Sequence, residues 1–404
     1  MTKPRFVVVG IGADGWDGLT VKAQHELASA SVIYGSSRQL QLLAPLDAEL
    51  RSWNSPMSEH LRTVLSSSGD PGSVHILASG DPMFHGVGSS IVKTVGAENV
   101  RVLPAVSSVS LAAARLGWDL STTRICSVVD RPLSSILASV SDNVQLLVLS
   151  RDEQTPAAVA RSLTAHGFGW SQITVLEQLG GRGERTYGSV ARNWSHPEGD
   201  RLNIVAVQCI GPPISRQAGL PDAEFSNDGQ MTKQAVRALT VTALRPAARQ
   251  LLWDVGAGAG SISIEWLRTD PSCAAIAFES DTTRRTRIEH NAAELGVFGG
   301  LTVIGAAPDY FEHAPDPDAV FIGGGVTTPG ILEGCWEALL GGGRIVVNAV
   351  TIESEALLVT WHAAVGGTLR RFQIDHAEPL GSMTAWRPTL PVTQWIADKP
   401  ETQS

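Results

Sequence analysis

The chain has 404 residues and a net charge of −9, and 43% of its residues are hydrophobic against 18% charged. This composition is typical of a folded protein and excludes an intrinsically disordered one. The negative charge disfavours non-specific binding to nucleic acid. No apolar run approaches the roughly eighteen residues that a membrane-spanning helix needs, so we expect neither nucleic acid nor a membrane as a partner.

The cysteines indicate a reducing compartment. The chain has four of them, with no CxxC pair and no histidine cluster nearby: Cys126, Cys209, Cys273 and Cys335. We expect buried thiols and no metal site. The short apolar stretch 6–9 is followed by no cleavage-site pattern, which favours a first strand over a signal peptide. We therefore predict a cytoplasmic protein.

The region 1–210 alternates strand and helix signals. A helix is predicted from about Thr20 to Ala30, among the strands RFVVVG, SVIYG, VHILA, VRVLP, VQLLVLS, ITVLE and LNIVAVQ. Alternation of this kind predicts a mostly parallel α/β domain. We assign the strands from 144–150 onward to a second lobe of the same domain.

A break follows at 211–230, where Pro, Gly and small polar residues show no helical or strand period. We interpret this segment as an interdomain linker. The pattern restarts at 231–404 with helices predicted at 232–244, 262–268 and 282–295 and with the strands LLWDV, AAIAFE, LTVIG, AVFIGG and RIVVNAV. This predicts a doubly wound, Rossmann-like sheet whose ligand crevice lies at the carboxyl ends of the strands.

The second domain opens with the segment LLWDVGAGAGSISIEW, which places Asp254, Gly256, Gly258 and Gly260 between a strand and a helix. Glycines there let the backbone approach a ligand. Glu279 ends the next strand, where a carboxylate can accept both hydroxyls of a ribose. The spacing GxGxG differs from the GxGxxG of dinucleotide domains and resembles class I methyltransferases that bind S-adenosylmethionine. An NAD domain or a simple tight turn remains the alternative.

Two turns complete the predicted second site. The strand that begins at Asp318 runs into the triplet Gly323, Gly324 and Gly325, which we expect to leave room for a bulky substrate. A flexible loop is the alternative interpretation of that triplet. Related domains often have an acidic residue in the turn with the pattern G-x-A-P. In this chain the corresponding residue is Ala306. An adenine contact there must come from the backbone of Ala306 or Ala307.

The first domain also contains a GxGxxG sequence after its first strand. Three residues, Trp16, Asp17 and Gly18, separate it from the next helix, so the N-terminus of that helix cannot hold a pyrophosphate beside these glycines. Three segments indicate another family: VVGIGADGWDGLT, ASGDPMFHGVG and PAVSS. They resemble the tetrapyrrole methylases, which bind S-adenosylmethionine in a cleft between two α/β lobes. The resemblance implies cofactor contacts from Gly10, Gly12, Gly80, Asp81, Phe84, Ser107, Ser108 and Gly180.

The loop after the first strand departs from that family's usual GxGPG and reads Gly-Ile-Gly-Ala-Asp. Asp14 in this loop is a candidate general acid or base, with an ordinary Asx-turn residue as the alternative. A second departure is His85, at a position where Tyr is common. The altered loop leaves open that the first domain is a binding or scaffolding module.

The order of the two domains resembles the decarboxylating precorrin methyltransferases of cobalamin synthesis. The resemblance implies a tetrapyrrole substrate methylated at two meso carbons, position 5 by the first domain and position 15 by the second. It also implies that the second domain removes carbon dioxide from an acetate chain at ring position 12. One S-adenosylmethionine per domain is expected.

A substrate with many carboxylates requires local basic groups on this acidic protein. In the second domain the candidates are Lys233 and Arg237, which we place with Asp14 among the catalytic residues. In the first domain they are Arg182 and Arg185. An RNA methyltransferase or another small-molecule methyltransferase remains an alternative, although no basic, aromatic-studded stripe favours RNA. A homo-oligomer is left open.

Overall fold

The computed structural model describes residues 5–66 and 73–401. The chain forms two compact units. The first ends at Pro213, and the second begins at Ile214 and also includes the short segment Ser134–Ala138. No helix within the described ranges is long and apolar enough to cross a bilayer.

The first lobe of the first unit is a parallel sheet in the order β3-β2-β4-β1-β5. Alternate residues of β1 face two different cores: Phe6 and Val8 pack into one, Val7 and Val9 into the other. A strand that is apolar on both faces is typical of a sheet covered by helices on both sides. The elements are β1 (Phe6–Ile11), α1 (Val21–Ala28), β2 (Val32–Gly35), α2 (Ser37–Gln41), β3 (Glu49–Ser52), α3 (Met57–Ser66), β4 (Val74–Ser79), α4 (Val87–Val95) and β5 (Val100–Leu103).

The second lobe is a mixed sheet, in the order β6-β7-β10-β8-β9, in which only β6 and β7 pair in parallel. The prediction of a second lobe is therefore confirmed, but its parallel character is wrong. The connections that join β8, β9 and β10 contain no α-helix, and parallel pairing needs a longer crossover. The elements are α5 (Ser108–Leu116), β6 (Arg124–Ser127), β7 (Gln145–Leu149), α6 (Thr155–Ala165), β8 (Gln172–Glu177), β9 (Arg185–Val190) and β10 (Asn203–Gln208).

The second unit is built on a seven-stranded sheet in the order β13-β12-β11-β14-β15-β19-β16. The order reverses between β11 and β14, which is where doubly wound sheets bind ligands. Strand β19 runs antiparallel to both neighbours. The elements are α7 (Gln234–Leu244), β11 (Leu251–Val255), α8 (Ser261–Thr269), β12 (Ala274–Phe278), α9 (Thr282–Glu294), β13 (Leu301–Ile304), β14 (Ala319–Ile322), α10 (Ile331–Ala338), β15 (Arg344–Ala349), α11 (Ile352–Val365), β16 (Thr368–Phe372), β17 (Asp375–Leu380), β18 (Met383–Pro388) and β19 (Val392–Asp398).

The segment 211–230, interpreted as a linker, is attached to the second unit over most of its length. The Gly219 and Leu220 N–H groups donate to the carboxylate of Glu265, the latter at 3.0 Å. Phe225 is buried in the core of the second unit. The linker interpretation is therefore corrected from Ile214 onward: the partners lie far along the chain, so the local composition could not reveal them.

Candidate active sites

One cleft in the first unit gathers residues from the ends of three strands of the first lobe. Six of the predicted cofactor contacts line it: Gly12, Gly80, Asp81, Phe84, Ser107 and Ser108. The opposite wall comes from the second lobe and is largely apolar, with Leu149, Leu176 and Ile204 among its residues. A cleft between two lobes, polar on one side and apolar on the other, suits a nucleoside-containing cofactor.

Gly10 lies beneath this cleft rather than on its wall. A Cβ atom at Gly10 would overlap the Gly80 carbonyl oxygen and would come within 2.6 Å of the Ala105 backbone nitrogen. Glycine there lets the loops that follow β1, β4 and β5 meet. A direct cofactor contact of Gly10 stays a prediction, and its observed role is to bring the lining residues together.

The turns that line the cleft are held by local hydrogen bonds. The Asp81 carboxylate accepts the Met83 N–H at 2.9 Å, and Ser107 Oγ accepts the Ser110 N–H at 3.1 Å at the start of α5. Gly180 does not itself line the cleft, although its neighbour Leu179 does; its N–H donates to the Glu184 carboxylate at 2.7 Å, and Arg115 pairs with Glu184. These bonds fix the loops in the shape that the cleft requires.

Asp14 is exposed at the start of the turn after β1, and its carboxylate caps no backbone N–H of that turn. The Asx-turn alternative is not favoured either, because the Trp16 N–H, two residues on, donates to the Leu42 carbonyl. A Cβ atom at Gly180 would lie 3.8 Å from Asp14 Oδ2, so the carboxylate faces the loop that contains Gly180. A role in acid–base chemistry stays a prediction.

Three polar residues of the cleft wall are not among the predicted contacts: Arg38, Ser79 and Asn203. Arg38 follows β2, a strand whose carboxyl end lies beside that of β4. Asn203 begins β10, and its side-chain amide donates to the carbonyl oxygens of Asp152 and Asp200 at 3.1 and 2.8 Å. The position of Arg38 after a parallel strand was the signal that could have identified it.

In the second unit, Gly256, Gly258 and Gly260 form the loop between β11 and α8. All three have left-handed backbones, with φ of 73°, 60° and 73°, a conformation that side-chain-bearing residues adopt only with strain. A Cβ atom at Gly256 would also come within about 3 Å of the Gly324 backbone. The loop after β11 therefore lies directly against the loop after β14.

Glu279 lies beside this loop, at the end of β12. Its side chain is 5% exposed, and its two carboxylate oxygens accept the N–H groups of Gly258 at 2.9 Å and Asp281 at 3.0 Å. The carboxylate is thus fixed at the rim of the crevice. This placement agrees with the expected ribose contact, which remains a prediction.

Asp254 lies under the glycine loop rather than on its surface. It is 1% exposed, and its Oδ2 accepts the Ser263 N–H at 3.1 Å and the Ser263 hydroxyl at 2.6 Å. Its Oδ1 is buried with no hydrogen-bond partner among the described residues. Burial is the main reason why the pKa of Asp254 rises to about 6, and the charge of Glu279 adds to it. Asp254 therefore supports the loop from below, and its direct contact with the cofactor stays a prediction.

The raised pKa of Asp254 predicts a pH effect on stability. The folded state binds a proton near pH 6 and the unfolded state only near pH 4, so stability increases as the pH falls between these values. From pH 6.5 to 4.5 this group should add about 2 kcal/mol to the free energy of unfolding. Urea titrations of the wild-type chain and of Asp254→Asn across this range should differ by that amount. Parallel pH profiles would contradict the assignment.

The glycine triplet follows β14 at the reversal of strand order. Gly323, Gly324 and Gly325 are exposed, and a Cβ atom at Gly324 would have no heavy atom within 4 Å. The Gly323 N–H donates to the Val255 carbonyl at 3.0 Å, which ties this turn to the end of β11. Ala306 and Ala307 lie in the turn after β13, the neighbour of the strand that ends at Glu279.

Arg237 does not offer its guanidinium to a substrate. The side chain is 0% exposed and pairs with Glu265 at 2.5 Å and Asp222 at 3.0 Å, while two backbone carbonyls accept two more of its N–H groups. The prediction of a catalytic or substrate-binding Arg237 is therefore wrong. Its buried charge is balanced by carboxylates that attach residues 219–222 to the second unit.

The other predicted basic residues remain accessible. Lys233 is 59% exposed and lies 3.9 Å from Asp222. Arg182 is exposed in the loop between β8 and β9, and Arg185 is 60% exposed while it pairs with the buried Glu177. All four cysteines are buried and free, as expected. Within the described ranges, no three His, Cys, Asp or Glu side chains are placed to hold a metal ion.

Sequence comparison relates each unit to a family of methyltransferases. Residues 5–193 match the tetrapyrrole (corrin/porphyrin) methylases, and residues 223–399 match a precorrin methyltransferase domain. The expected fold class, a tetrapyrrole methylase domain followed by a methyltransferase domain, is confirmed. The chain is thus a fusion of two methyltransferase domains.

A Mycobacterium tuberculosis (strain CDC 1551 / Oshkosh) protein, precorrin-6Y C(5,15)-methyltransferase (decarboxylating), is 48% identical over 398 residues, which are 98% of this chain and 100% of that protein. This chain belongs to the family of decarboxylating precorrin-6Y C(5,15)-methyltransferases, which depend on S-adenosylmethionine. The near-complete coverage does not favour the RNA methyltransferase alternative.

Two other relatives match smaller parts. The cobalt-precorrin-7 C(5)-methyltransferase of Salmonella typhimurium is 28% identical over 45% of this chain and 89% of its own. A protein of Saccharolobus solfataricus named "Probable cobalt-precorrin-6B C(15)-methyltransferase (decarboxylating)" is 32% identical over 34% of this chain and 71% of its own. By their names, these relatives act at single positions.

Proposed function

We propose that this chain methylates positions 5 and 15 of precorrin-6Y and removes carbon dioxide from the acetate at position 12, giving precorrin-8 in cobalamin synthesis. The observation that carries the proposal is the 48% identity over nearly the whole chain to a relative of that name. The two sites described above support it, because each has the loops that a methyltransferase needs. We also propose a cytoplasmic location, and the acidic chain favours neither nucleic acid nor a membrane as a partner.

We assign position 5 to the first unit and position 15 with decarboxylation to the second. Relatives named for the C(5) reaction and for the C(15) reaction each match less than half of the chain, which supports two separable chemistries. The open space at Gly324 supports a macrocycle beside the second site. When carbon dioxide leaves, the electron pair of the broken C–C bond passes into the conjugated ring of the substrate.

The residues present fit one S-adenosylmethionine in each unit. In the second unit the Gly256–Gly260 loop and Glu279 would hold it, and in the first unit the turns at Gly80–Asp81 and Ser107–Ser108 would do so. When bound, the cofactor supplies a methyl group on a sulfonium and leaves as a neutral thioether. The protein therefore needs no nucleophilic side chain, and its main task is to align the ring carbon and exclude water.

The reaction itself is tested by product mass. The full-length chain, incubated with precorrin-6Y and S-adenosylmethionine, should give a product that has gained two methyl groups and lost one carbon dioxide. A product with a single methyl group and all its carboxylates would contradict the proposal. Methyl transfer to RNA in place of the tetrapyrrole would favour the alternative function.

Cofactor stoichiometry gives a second prediction. Calorimetric titration of the intact chain with S-adenosylhomocysteine should show two bound molecules per chain, one for each unit. In a Glu279→Ala variant, binding to the second unit should be weakened. At S-adenosylhomocysteine concentrations that fill only the first unit, we therefore expect one bound molecule per chain. One site in the wild-type chain, combined with loss of methylation at position 5, would instead identify the first unit as a scaffold.

A further inference from the structure

Arg38 has a defined place at the mouth of the first-unit cleft. It lies in α2, which begins with a capping box between Ser36 and Gln39. Arg38 Nη2 and Gln39 Nε2 both donate to Ser79 Oγ, each at 3.1 Å. Ser79 is the last residue of β4, immediately before the Gly80–Asp81 turn. The guanidinium is thus fixed beside a turn that belongs to the proposed cofactor site.

The charge of Arg38 is not neutralised by an ion pair in the described part of the chain. In that part of the chain, no carboxylate oxygen lies within 4.0 Å of a guanidinium nitrogen of Arg38, which is the limit for a salt bridge. Asp200 attracts it from a greater distance, but the Asp200 carboxylate already accepts the Leu202 N–H and the Gln178 amide. A guanidinium has five N–H donors, so most of those on Arg38 remain available.

The surroundings of Arg38 favour an anionic partner. The side chain is half-buried, and burial lowers the pKa of Arg38 from its ordinary value, although a guanidinium stays protonated in proteins. The only other charged residue among the described lining residues is Asp81, whose carboxylate accepts the Met83 N–H. A partly desolvated cation that faces a largely apolar wall across the cleft attracts an anion more strongly than a solvated one.

We propose that Arg38 is a carboxylate-binding residue of the first-unit cleft. The planar guanidinium suits a carboxylate because it can donate two parallel hydrogen bonds. The inference rests on the proposed function, whose ligands offer carboxylates from two sources. One is the amino-acid end of the cofactor, and the other is the set of side-chain carboxylates of the tetrapyrrole.

The test uses the full-length chain with Arg38→Met, which keeps an apolar stem and removes the charge. Arg38→Lys keeps the charge without the planar fork, and Arg161→Met, an exposed residue of α6 away from the cleft, is the matched control. Calorimetry measures S-adenosylhomocysteine and 5′-methylthioadenosine, which lacks the amino-acid end. Absorbance titration measures precorrin-6Y binding to the chain saturated with S-adenosylhomocysteine, and thermal unfolding checks the fold.

If the cofactor supplies the carboxylate, Arg38→Met should weaken S-adenosylhomocysteine binding in the first unit by about tenfold or more and leave 5′-methylthioadenosine unchanged. If the tetrapyrrole supplies it, precorrin-6Y binding should weaken by a similar factor, with KM at position 5 raised and kcat nearly unchanged. In either case, Arg38→Lys should restore part of the loss, and added salt should reduce the difference from wild type.

Unchanged binding of both carboxylate ligands in a folded Arg38→Met variant would overturn the inference, as would an equal loss for 5′-methylthioadenosine. The outcome is separate from that of the proposed function, because both titrations measure binding without turnover. A wild-type chain that binds these ligands but transfers no methyl group would contradict the proposed function. The difference in ligand binding between that chain and Arg38→Met would still test the role of Arg38.

Discussion

Gly324→Leu should abolish methylation at position 15 and decarboxylation while methylation at position 5 continues. A Cβ atom at Gly324 would have no heavy atom within 4 Å, so we expect leucine to be accommodated without disturbing the fold. It would instead fill the open space at the end of β14, where we place the macrocycle. The expected product is singly methylated and keeps its acetate carboxylate, which mass spectrometry distinguishes from the wild-type product.

A matched control separates steric blocking from general damage. Gly299 is also exposed in the second unit and also has open space at its Cβ position, so Gly299→Leu should leave both methylations intact. Cofactor affinity in Gly324→Leu should stay within a few-fold of wild type, because the cofactor rests on the glycine loop and Glu279. Loss of methylation at both positions would show that the two units are coupled, and retained activity at position 15 would place the substrate elsewhere.

The architecture of the second site was predictable from sequence because its parts follow neighbouring parallel strands. Gly256, Glu279 and Gly323 come after β11, β12 and β14, which are neighbours in the sheet. The carboxyl ends of parallel strands share one edge, so alternating strand and helix signals suffice to bring these residues together. In the first unit, the resemblance to the tetrapyrrole methylases predicted that the turns at Gly80–Asp81 and Ser107–Ser108 share one cleft, and all four of these residues line it.

Roles that depend on a distant partner could not be predicted. Arg237 looked like a free basic residue because Glu265, its buried partner, lies on α8 and carries no local signal. Arg284 and Arg287 on α9 also pair with a residue that is distant in the chain, Asp228, at 2.9 and 3.0 Å. The antiparallel pairing of β8, β9 and β10 likewise follows from tertiary packing rather than from periodicity.

Glu279→Ala should weaken cofactor binding in the second unit by roughly 1.5–3 kcal/mol, because a carboxylate that accepts two ribose hydroxyls makes charge-assisted hydrogen bonds. The same carboxylate accepts the Gly258 and Asp281 N–H groups. Its removal therefore also leaves the glycine loop without an anchor. Calorimetry with S-adenosylhomocysteine on the full-length chain measures the loss, and Glu289→Ala, at an exposed position of α9, is the control that should bind normally.

Glu279→Gln separates the two contributions of this residue. Glutamine keeps one oxygen that can accept the Gly258 N–H, but it loses the negative charge. If the cofactor affinity of Glu279→Gln lies between the affinities of wild type and Glu279→Ala, both the charge and the anchoring of the loop contribute to binding. Binding in the first unit should be unchanged in both variants, since its cleft contains none of these residues. Wild-type affinity of the second unit in Glu279→Ala would mean that the ribose lies elsewhere, and the assignment of the crevice at β11 and β12 would have to be abandoned.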